Sequence, residues 1–248
     1  MTRTRYHHSV AQPAALWVRL FGPVELSNQW GAVSENPGRR SLPWLLLKYL
    51  LANAGREVDS GELGRALWPG RAETENNLRV RLHRLREALA PLGLDGPEGL
   101  VLYCAGRFAL NPDIPIQTDG ERFSALLRRE CRAAPEDRDG LTACGQALEL
   151  YRGPFLEYTA PAPWLEGYRA QYARQFRTLA WHTLRRIQAT GDDGLLELLC
   201  RRAAWAAPED RPLQELLIRC LAERQRQVEL LRHVSQLDQA RGAGRFEI

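Results

Sequence analysis

The chain has 248 residues, of which 44% are hydrophobic and 26% charged, a balance typical of a globular protein with one large or two smaller domains. This composition argues against an intrinsically disordered or fibrous chain. The formal net charge of +4 and the isoelectric point near 8.9 permit a polyanionic partner without requiring one.

The cysteines and the hydropathy of the chain indicate the cellular compartment in which we expect the protein. The five cysteines are odd in number and widely spaced, with no C-x-x-C pair and no histidines at zinc-site spacing. We therefore expect a reducing cytoplasm and no bound metal. No stretch approaches the roughly 18 apolar residues of a membrane span. No apolar signal core precedes Leu16, so we expect no contact with a membrane.

The first part of the chain mixes short strands and helices. Gly22-Pro23 interrupts a β-branched and aromatic run and predicts a turn between two strands. In chain order, the predicted elements are strands within 16–26 and at 31–33, helices from about 41, 60 and 76, and a β-hairpin over 100–110. Two helices joined by a tight loop and followed by a hairpin form a winged helix-turn-helix.

The helix over 76–89 carries the pattern that decides the functional interpretation. Leucines recur at i, i+4, i+7 and i+11, which places them on one narrow face. These residues are Leu78, Leu82, Leu85 and Leu89. Hydrogen-bonding and cationic side chains occupy the other faces. The face opposite the leucines carries Asn76, Val80, His83, Arg84 and Glu87, and Asn77 lies beside it. The flanks carry Arg79, Arg81 and Arg86.

This helix has the chemistry needed to lie in a DNA major groove. Arginine can bond guanine edges and asparagine adenine edges, while flanking arginines neutralise phosphates. Periodicity alone also fits an ordinary amphipathic surface helix, which is the commoner source of such a pattern. The helix-turn-helix order around it favours the DNA-binding interpretation.

The second half of the chain is helical. Ile114-Pro-Ile-Gln-Thr-Asp is a proline-interrupted connector, and its docking as a strand is left open. Helices are predicted over about 123–127, 141–152 and 163–189. We therefore predict an α+β, mainly α chain of two domains: a winged helix over 16–113 and an all-α tetratricopeptide-like domain over 114–248.

A faint internal repeat supports the second of these assignments. An offset of about 33 residues, close to the tetratricopeptide period of about 34, relates two sets of apolar positions. Leu184, Ile187, Leu195 and Leu198 fall over Leu217, Cys220, Val228 and Leu231. Stacked helical hairpins with a concave surface and a plain helical bundle both fit this pattern.

Motifs for catalysis and cofactor binding are missing from the sequence. No G-x-G-x-x-G, G-x-x-x-x-G-K-[ST], H-E-x-x-H or G-x-S-x-G occurs. The acidic pairs at 192–193 and 209–210 lie at predicted turns, where helix capping accounts for them. We therefore expect no enzyme activity and no cofactor.

Several strings resemble, in the same order, the Streptomyces antibiotic regulatory proteins and their relatives. These bacterial proteins join an OmpR-type winged helix to a bacterial transcriptional activator domain of tetratricopeptide-like helices. The strings are Arg19-Leu-Phe-Gly-Pro-Val-Glu-Leu, Leu67-Trp-Pro-Gly, the Asn76-Asn-Leu-Arg helix, Thr118-Asp-Gly-Glu-Arg-Phe and Ala147-Leu-Glu-Leu-Tyr-Arg-Gly-Pro-Phe-Leu. The resemblance covers roughly residues 16–240.

The resemblance implies binding to promoter repeats in double-stranded DNA and activation through RNA polymerase. By position, it implies groove-facing side chains at Asn77, Val80, Arg81 and Arg84, with Asn76 and His83 on the same helix. It implies phosphate contacts at Arg79 and Arg86, a wing contact at Arg107, and a polymerase-facing loop over 69–75. It implies no metal, while the helical domain would serve dimerisation (a homodimer), effector contact or both.

From the residues and the resemblance together, we expect a sequence-specific transcriptional regulator, most consistent with an activator. The alternative is an adapter that uses the winged helix and helical repeat for protein contacts without binding DNA. The cationic flanks of helix 76–89 favour the regulator, whereas Glu73, Glu75 and the modest net charge favour the adapter.

Overall fold

The computed structural model describes residues 15–38, 41–69, 75–96, 99–131, 137–208, 210–223 and 232–238. It divides into two compact units, the first of Met1–Val18 and Glu25–Gln117, the second of Arg19–Val24 and Thr118–Ile248. The sequence predicts a domain boundary between residues 113 and 114. In the structure the chain passes between units at Gln117, and the short segment Arg19–Val24 belongs to the second unit.

Seven short strands form two sheets in the described part of the chain. They are β1 Leu16–Arg19, β2 Glu25–Asn28, β3 Gly31–Ser34, β4 Val58–Asp59, β5 Val101–Cys104, β6 Arg107–Leu110 and β7 Ile116–Thr118. One sheet has the order β3-β2-β1-β7 and the other β4-β6-β5. The connector that the sequence left open therefore docks as β7, and the N–H of Leu16 donates to the carbonyl of Pro115 at 2.8 Å.

The labelled helices are α1 Leu42–Ala52, α2 Ser60–Leu67, α3 Glu75–Leu89, α4 Asp119–Glu130, α5 Arg138–Leu150, α6 Pro163–Thr190, α7 Asp193–Ala206 and α8 Arg211–Glu223. The first six overlap predicted helices, whereas the last two had no predicted bounds. Two helices start earlier than predicted because the Thr118 hydroxyl accepts from the N–H of Glu121 and the Asp137 carboxylate from the N–H of Asp139. None of the described helices is both long and apolar enough to cross a membrane.

Capping fixes several of these boundaries. Asp192 accepts from the N–H of Leu195 at 2.8 Å and Asp210 from that of Leu213 at 3.3 Å, which confirms the capping explanation for those two carboxylates. Gly191 ends α6 in the left-handed conformation at φ 73. Ser41 occupies the N-cap of α1, but its hydroxyl makes no capping hydrogen bond.

In the first unit, α1 is buried on nearly all sides, as its apolar run predicted. Leu46 and Leu47 are fully buried. The single lysine of the chain, Lys48, is also buried and forms an ion pair with Glu35. A buried charge is tolerated because its opposite charge is buried beside it.

In the second unit, an aromatic cluster joins the N-terminal segment to the helices. The ring of Phe21 lies 5.5 Å from Phe123, 4.6 Å from Tyr151 and 5.0 Å from Tyr172, measured between centroids. The main chain of this segment is held as well, since the N–H of Leu156 donates to the carbonyl of Leu20 at 2.7 Å. The segment is therefore part of the helical core.

The helices of the second unit pack successively, α4 on α5, α6 on α7 and α7 on α8. Of the repeat-related positions, Leu184, Ile187, Leu195, Leu217 and Cys220 are buried. Leu198 is partly exposed, and Val228 and Leu231 lie outside the described residues. The described unit is an all-α domain, as predicted.

Candidate nucleic-acid interface

The leucine stripe of α3 anchors the helix in the first unit. Leu78, Leu85 and Leu89 are 0% exposed and Leu82 is 3% exposed. Burying four leucines stabilises the docked helix by roughly 1.5–3 kcal/mol for each side chain. The same burial fixes the rotation of α3 about its axis and so decides which residues face solvent.

The opposite face of α3 is exposed along its described length. Exposed side chains there belong to Asn76, Asn77, Arg79, Val80, His83, Arg84 and Glu87. Val80, an apolar side chain, keeps 45% of its surface exposed to solvent. Amide, guanidinium and apolar groups on one convex face match the range of contacts that base edges offer in the major groove.

Two of the predicted arginines are partly buried on the flanks and contact neighbouring elements. The Arg81 guanidinium carbon lies 4.7 Å from the centroid of the Trp68 ring, at the end of α2. On the other flank, Arg86 donates from Nη2 to the carbonyl oxygen of Val101 at 3.0 Å. These arginines brace α3 against α2 and β5.

Arg79 connects the exposed face of α3 to the hairpin. Its guanidinium carbon lies 5.7 Å from the centroid of the Tyr103 ring in β5. An exposed guanidinium held against an aromatic ring loses less side-chain freedom when it meets a phosphate. The wing therefore positions a cation at the edge of the predicted interface.

The wing itself is a tight hairpin. β5 and β6 pair antiparallel with Cys104 opposite Arg107, and the two residues between them have positive φ, 48° at Ala105 and 78° at Gly106. In a two-residue hairpin, left-handed backbone conformations at both turn residues give a turn whose twist matches that of the paired strands, and this turn has them. The carbonyl of Gly106 accepts from the Ser60 N–H at 2.8 Å and hydroxyl at 2.6 Å, which ties the turn to the start of α2.

Arg107 follows this turn and is exposed. Its Nη1 lies 3.3 Å from Oε2 of Glu57, and both side chains are more than 60% exposed. A surface pair of this kind contributes little to stability. Its energetic weakness means that an approaching phosphate could compete for the guanidinium.

A polar cluster fixes the start of α2 relative to α1. The Asp59 carboxylate accepts from the Glu62 N–H at 2.9 Å, and Glu62 in turn accepts from the Tyr49 hydroxyl at 2.9 Å and pairs with Arg56. The hydrogen bond from Arg56 is the main cause that lowers the pKa of Glu62. Burial, followed by the hydrogen bond to Glu62, raises the pKa of Tyr49 to about 12. At neutral pH this cluster thus keeps a carboxylate and a neutral phenol.

Sequence reasoning left one acidic residue out of the predicted site. Glu87 lies in the exposed face, with Oε1 3.4 Å from Nε2 of His83 one turn earlier. The i, i+4 spacing of the two residues signals this pairing. The aromatic partners Trp68 and Tyr103 had no such signal, because they come from other elements. Of the predicted polymerase-facing loop, 70–74 lie outside the described residues.

The first unit is thus a winged helix-turn-helix and the second an all-α domain, the fold class that the sequence predicted. Comparison with solved structures finds this fold in EmbR of Mycobacterium tuberculosis, determined in complex with a low-affinity phosphopeptide. The TM-score is 0.62 at 21% sequence identity, over 95% of this chain and 62% of EmbR. The chain therefore spans less than two thirds of the EmbR chain. No family model matches the sequence, and no curated protein does.

Proposed function

We propose that this chain is a sequence-specific DNA-binding transcription regulator of the Streptomyces antibiotic regulatory type, acting as an activator. The observation that carries the proposal is the difference between the two sides of α3. Its leucines are buried, whereas Asn77, Val80 and Arg84 are exposed on the opposite side. The fold shared with EmbR supports the proposal, as do the strings that resemble the family.

In this proposal, the residues of α3 have separate tasks. Asn76, Asn77, Val80, His83 and Arg84 meet base edges, and Arg79 meets a phosphate beside the wing. Arg86 and Arg81, the latter groove-facing by the resemblance, lie on the flanks and contact the carbonyl of Val101 and the ring of Trp68. In the proposal both guanidinium groups meet the DNA backbone. Arg107 contacts DNA from the wing after leaving its weak pair with Glu57.

The partners of the proposed regulator follow from the resemblance. Double-stranded promoter DNA is the ligand of the first unit, and RNA polymerase meets the loop over 69–75. The helical unit mediates formation of a homodimer, effector contact or both. These roles concern macromolecular binding, so the proposal includes no enzyme activity and no cofactor.

Selection from random genomic fragments tests DNA binding directly. The purified chain is mixed with fragments, bound DNA is recovered and sequenced, and the recovered sequences are searched for a shared motif. We expect an enriched motif arranged as a repeat. Recovery of fragments with no shared motif would overturn the claim of sequence-specific binding.

Two arginine variants then test whether the exposed face of α3 is the face that contacts DNA. Arg84→Ala should weaken binding to the selected site by ~1–3 kcal/mol and relax specificity at one base position. Arg79→Ala should weaken binding to all sequences and reduce the slope of log affinity against log salt by about one unit. Arg128→Ala, an exposed arginine in α4 of the other unit, is the matched control. Wild-type binding by both α3 variants in salt-titrated gel shifts would contradict the assignment.

An adapter remains the second candidate because of Glu87. Its carboxylate lies on the exposed face of α3, 3.4 Å from His83, where it would repel phosphates. An adapter would bind a protein through this face and recover no motif from genomic DNA. The fragment selection therefore separates the two candidates.

A further inference from the structure

The second unit brings together three side chains that are common metal ligands. Glu130 is the last residue of α4, Cys131 follows it, and His182 lies in α6. One ligand atom from each residue lies within 4.8 Å of the others. Local spacing does not reveal this group, because Cys131 and His182 are 51 positions apart.

The carboxylate of Glu130 is held in place by a buried arginine. Its Oε1 lies 2.6 Å from Nε of Arg186, and both side chains are only 2% exposed. The guanidinium also donates from Nη1 to the carbonyl of Asp137 at 3.2 Å. Glu130 is therefore a fixed anion at the junction of α4 and α6.

This fixed carboxylate sets the orientation of the histidine. Oε2 of Glu130 lies 2.8 Å from Nδ1 of His182 in a close charge contact that lacks hydrogen-bond geometry, and this buried oxygen has no hydrogen-bond partner among the described residues. A proton on Nδ1, beside the carboxylate, would leave the ring lone pair on Nε2. That nitrogen lies 3.8 Å from Sγ of Cys131. The histidine thus turns its free nitrogen towards the thiol.

The separation of these two atoms suits a bridging metal ion. Zinc binds thiolate sulfur at about 2.3 Å and imidazole nitrogen at about 2.0 Å in tetrahedral geometry, which separates the two ligand atoms by about 3.5 Å. The observed 3.8 Å needs only a small adjustment. A carboxylate beside the other ring nitrogen is the usual support of a metal-binding histidine, and Glu130 lies at that nitrogen of His182.

The same three residues also resemble a cysteine nucleophile with a histidine base and an orienting acid. One observation disfavours that interpretation. Burial, and then the charge of Glu130, raise the pKa of the Cys131 thiol, whereas a nucleophilic thiol needs a lowered pKa. A metal ion, in contrast, displaces the thiol proton by its own charge.

We propose that Cys131 and His182 bind a thiophilic transition-metal ion of the Zn²⁺ class, with Glu130 and Arg186 orienting the histidine. Sulfur and imidazole ligands together select zinc-like ions over Mg²⁺ or Ca²⁺. Two protein ligands leave positions for water or for a further ligand at the ion. Cys131 is exposed, so the ion is reached from solvent. This site is independent of the DNA-binding proposal, because it lies wholly in the second unit.

Metal titration of the reduced, chelator-treated full chain tests the proposal. Co²⁺ serves as a spectroscopic probe, since a thiolate ligand gives an intense charge-transfer absorption, and Zn²⁺ is then titrated to displace it. We expect one ion for each chain, with Mg²⁺ failing to compete. Cys131→Ser and His182→Gln should each abolish the charge-transfer band.

The chain offers a matched control for adventitious thiol binding. Cys104 is also an exposed free cysteine but lies in the first unit. Cys104→Ser should therefore leave the band and the stoichiometry unchanged. Persistence of the band in Cys131→Ser, or its loss in Cys104→Ser, would overturn the proposal.

The orienting role of the carboxylate has its own measurement. Glu130→Gln should weaken metal binding by about 10- to 100-fold while keeping the charge-transfer band at saturating Co²⁺. Circular dichroism shows whether each variant is folded. If Glu130→Gln does not fold, His182→Gln at the less buried position decides the outcome. Absence of any Co²⁺ or Zn²⁺ binding by the folded wild type would leave only an S–H···N hydrogen bond at this place.

Discussion

The carboxylate of Asp119 accepts a hydrogen bond from the main-chain N–H of Leu20 at 2.8 Å, although 99 positions separate the two residues. Its second oxygen accepts from the N–H of Phe21 at 3.0 Å. Asp119 opens α4 and is 2% exposed. One side chain thus satisfies two buried donors of the segment that enters the helical unit.

Removal of this carboxylate should destabilise the second unit. Asp119→Ala leaves two buried N–H groups without their acceptor, each costing about 1–3 kcal/mol. Asp119→Asn keeps one acceptor oxygen and should cost less. Urea denaturation followed by circular dichroism measures both variants. Equal stability of the alanine variant and the wild type would show that these hydrogen bonds are not needed.

The stability contributed by Asp119 should depend on pH. Burial raises its pKa from 3.8 to about 6, against the opposing hydrogen bonds from Phe21 and Leu20. Between about pH 4 and 6 the folded chain keeps this proton while the unfolded chain releases it. The native state then binds more protons, so stability decreases as the pH rises through this window.

The comparison with Asp119→Asn isolates this effect from the other carboxylates. The wild type should lose stability relative to the variant by at most about 3 kcal/mol from pH 4 to pH 6. Denaturant midpoints at pH 4, 5, 6 and 7 measure the difference. A wild type that instead gains stability relative to the variant as the pH rises from 4 to 6 would mean that the carboxylate is ionised and favoured by its hydrogen bonds.

Two glycines of α5 should respond oppositely to alanine. A Cβ at Gly140 would lie 2.1 Å from Nη2 of Arg186, whose guanidinium is buried and bonded to Glu130. Gly140→Ala should therefore cost about 1–3 kcal/mol through overpacking. At Gly145, where a Cβ would approach Leu195 no closer than 4.0 Å, alanine should gain about 0.5–1 kcal/mol. Thermal unfolding of the two variants checks the sign of each change.

Glu87 should limit non-specific binding if α3 meets DNA. A unit charge near 4 Å from another contributes about 1 kcal/mol in water, so Glu87→Gln should tighten binding to random DNA by about fivefold at low salt. It also removes the carboxylate that lies 3.4 Å from the His83 ring. Glu149→Gln makes the same charge change on the exposed surface of the other unit. Fluorescence anisotropy with an unrelated duplex measures the DNA affinity of both variants. An equal change in affinity would show that Glu87 does not lie in the interface.

Two of the strings that carried the family resemblance meet in the second unit. The N–H of Gly22, in the Arg19-Leu-Phe-Gly-Pro string, lies 3.4 Å from the carbonyl of Pro154 in the Tyr-Arg-Gly-Pro-Phe-Leu string. Phe21 also forms a β-bridge with Phe155. The sequence showed each string by itself but not this pairing, because nothing in local periodicity links residues so far apart.

The sequence by itself determined the secondary-structure elements and which side of α3 is buried. Leucines at helical spacing fixed the buried side of α3, and breakers and capping residues fixed most helix ends, because both effects act within a few residues. Tertiary structure alone decided which groups meet: Arg86 with Val101, Asp119 with Leu20, and Cys131 with His182. Such contacts depend on how whole helices and strands pack, and that packing is a property of the entire core.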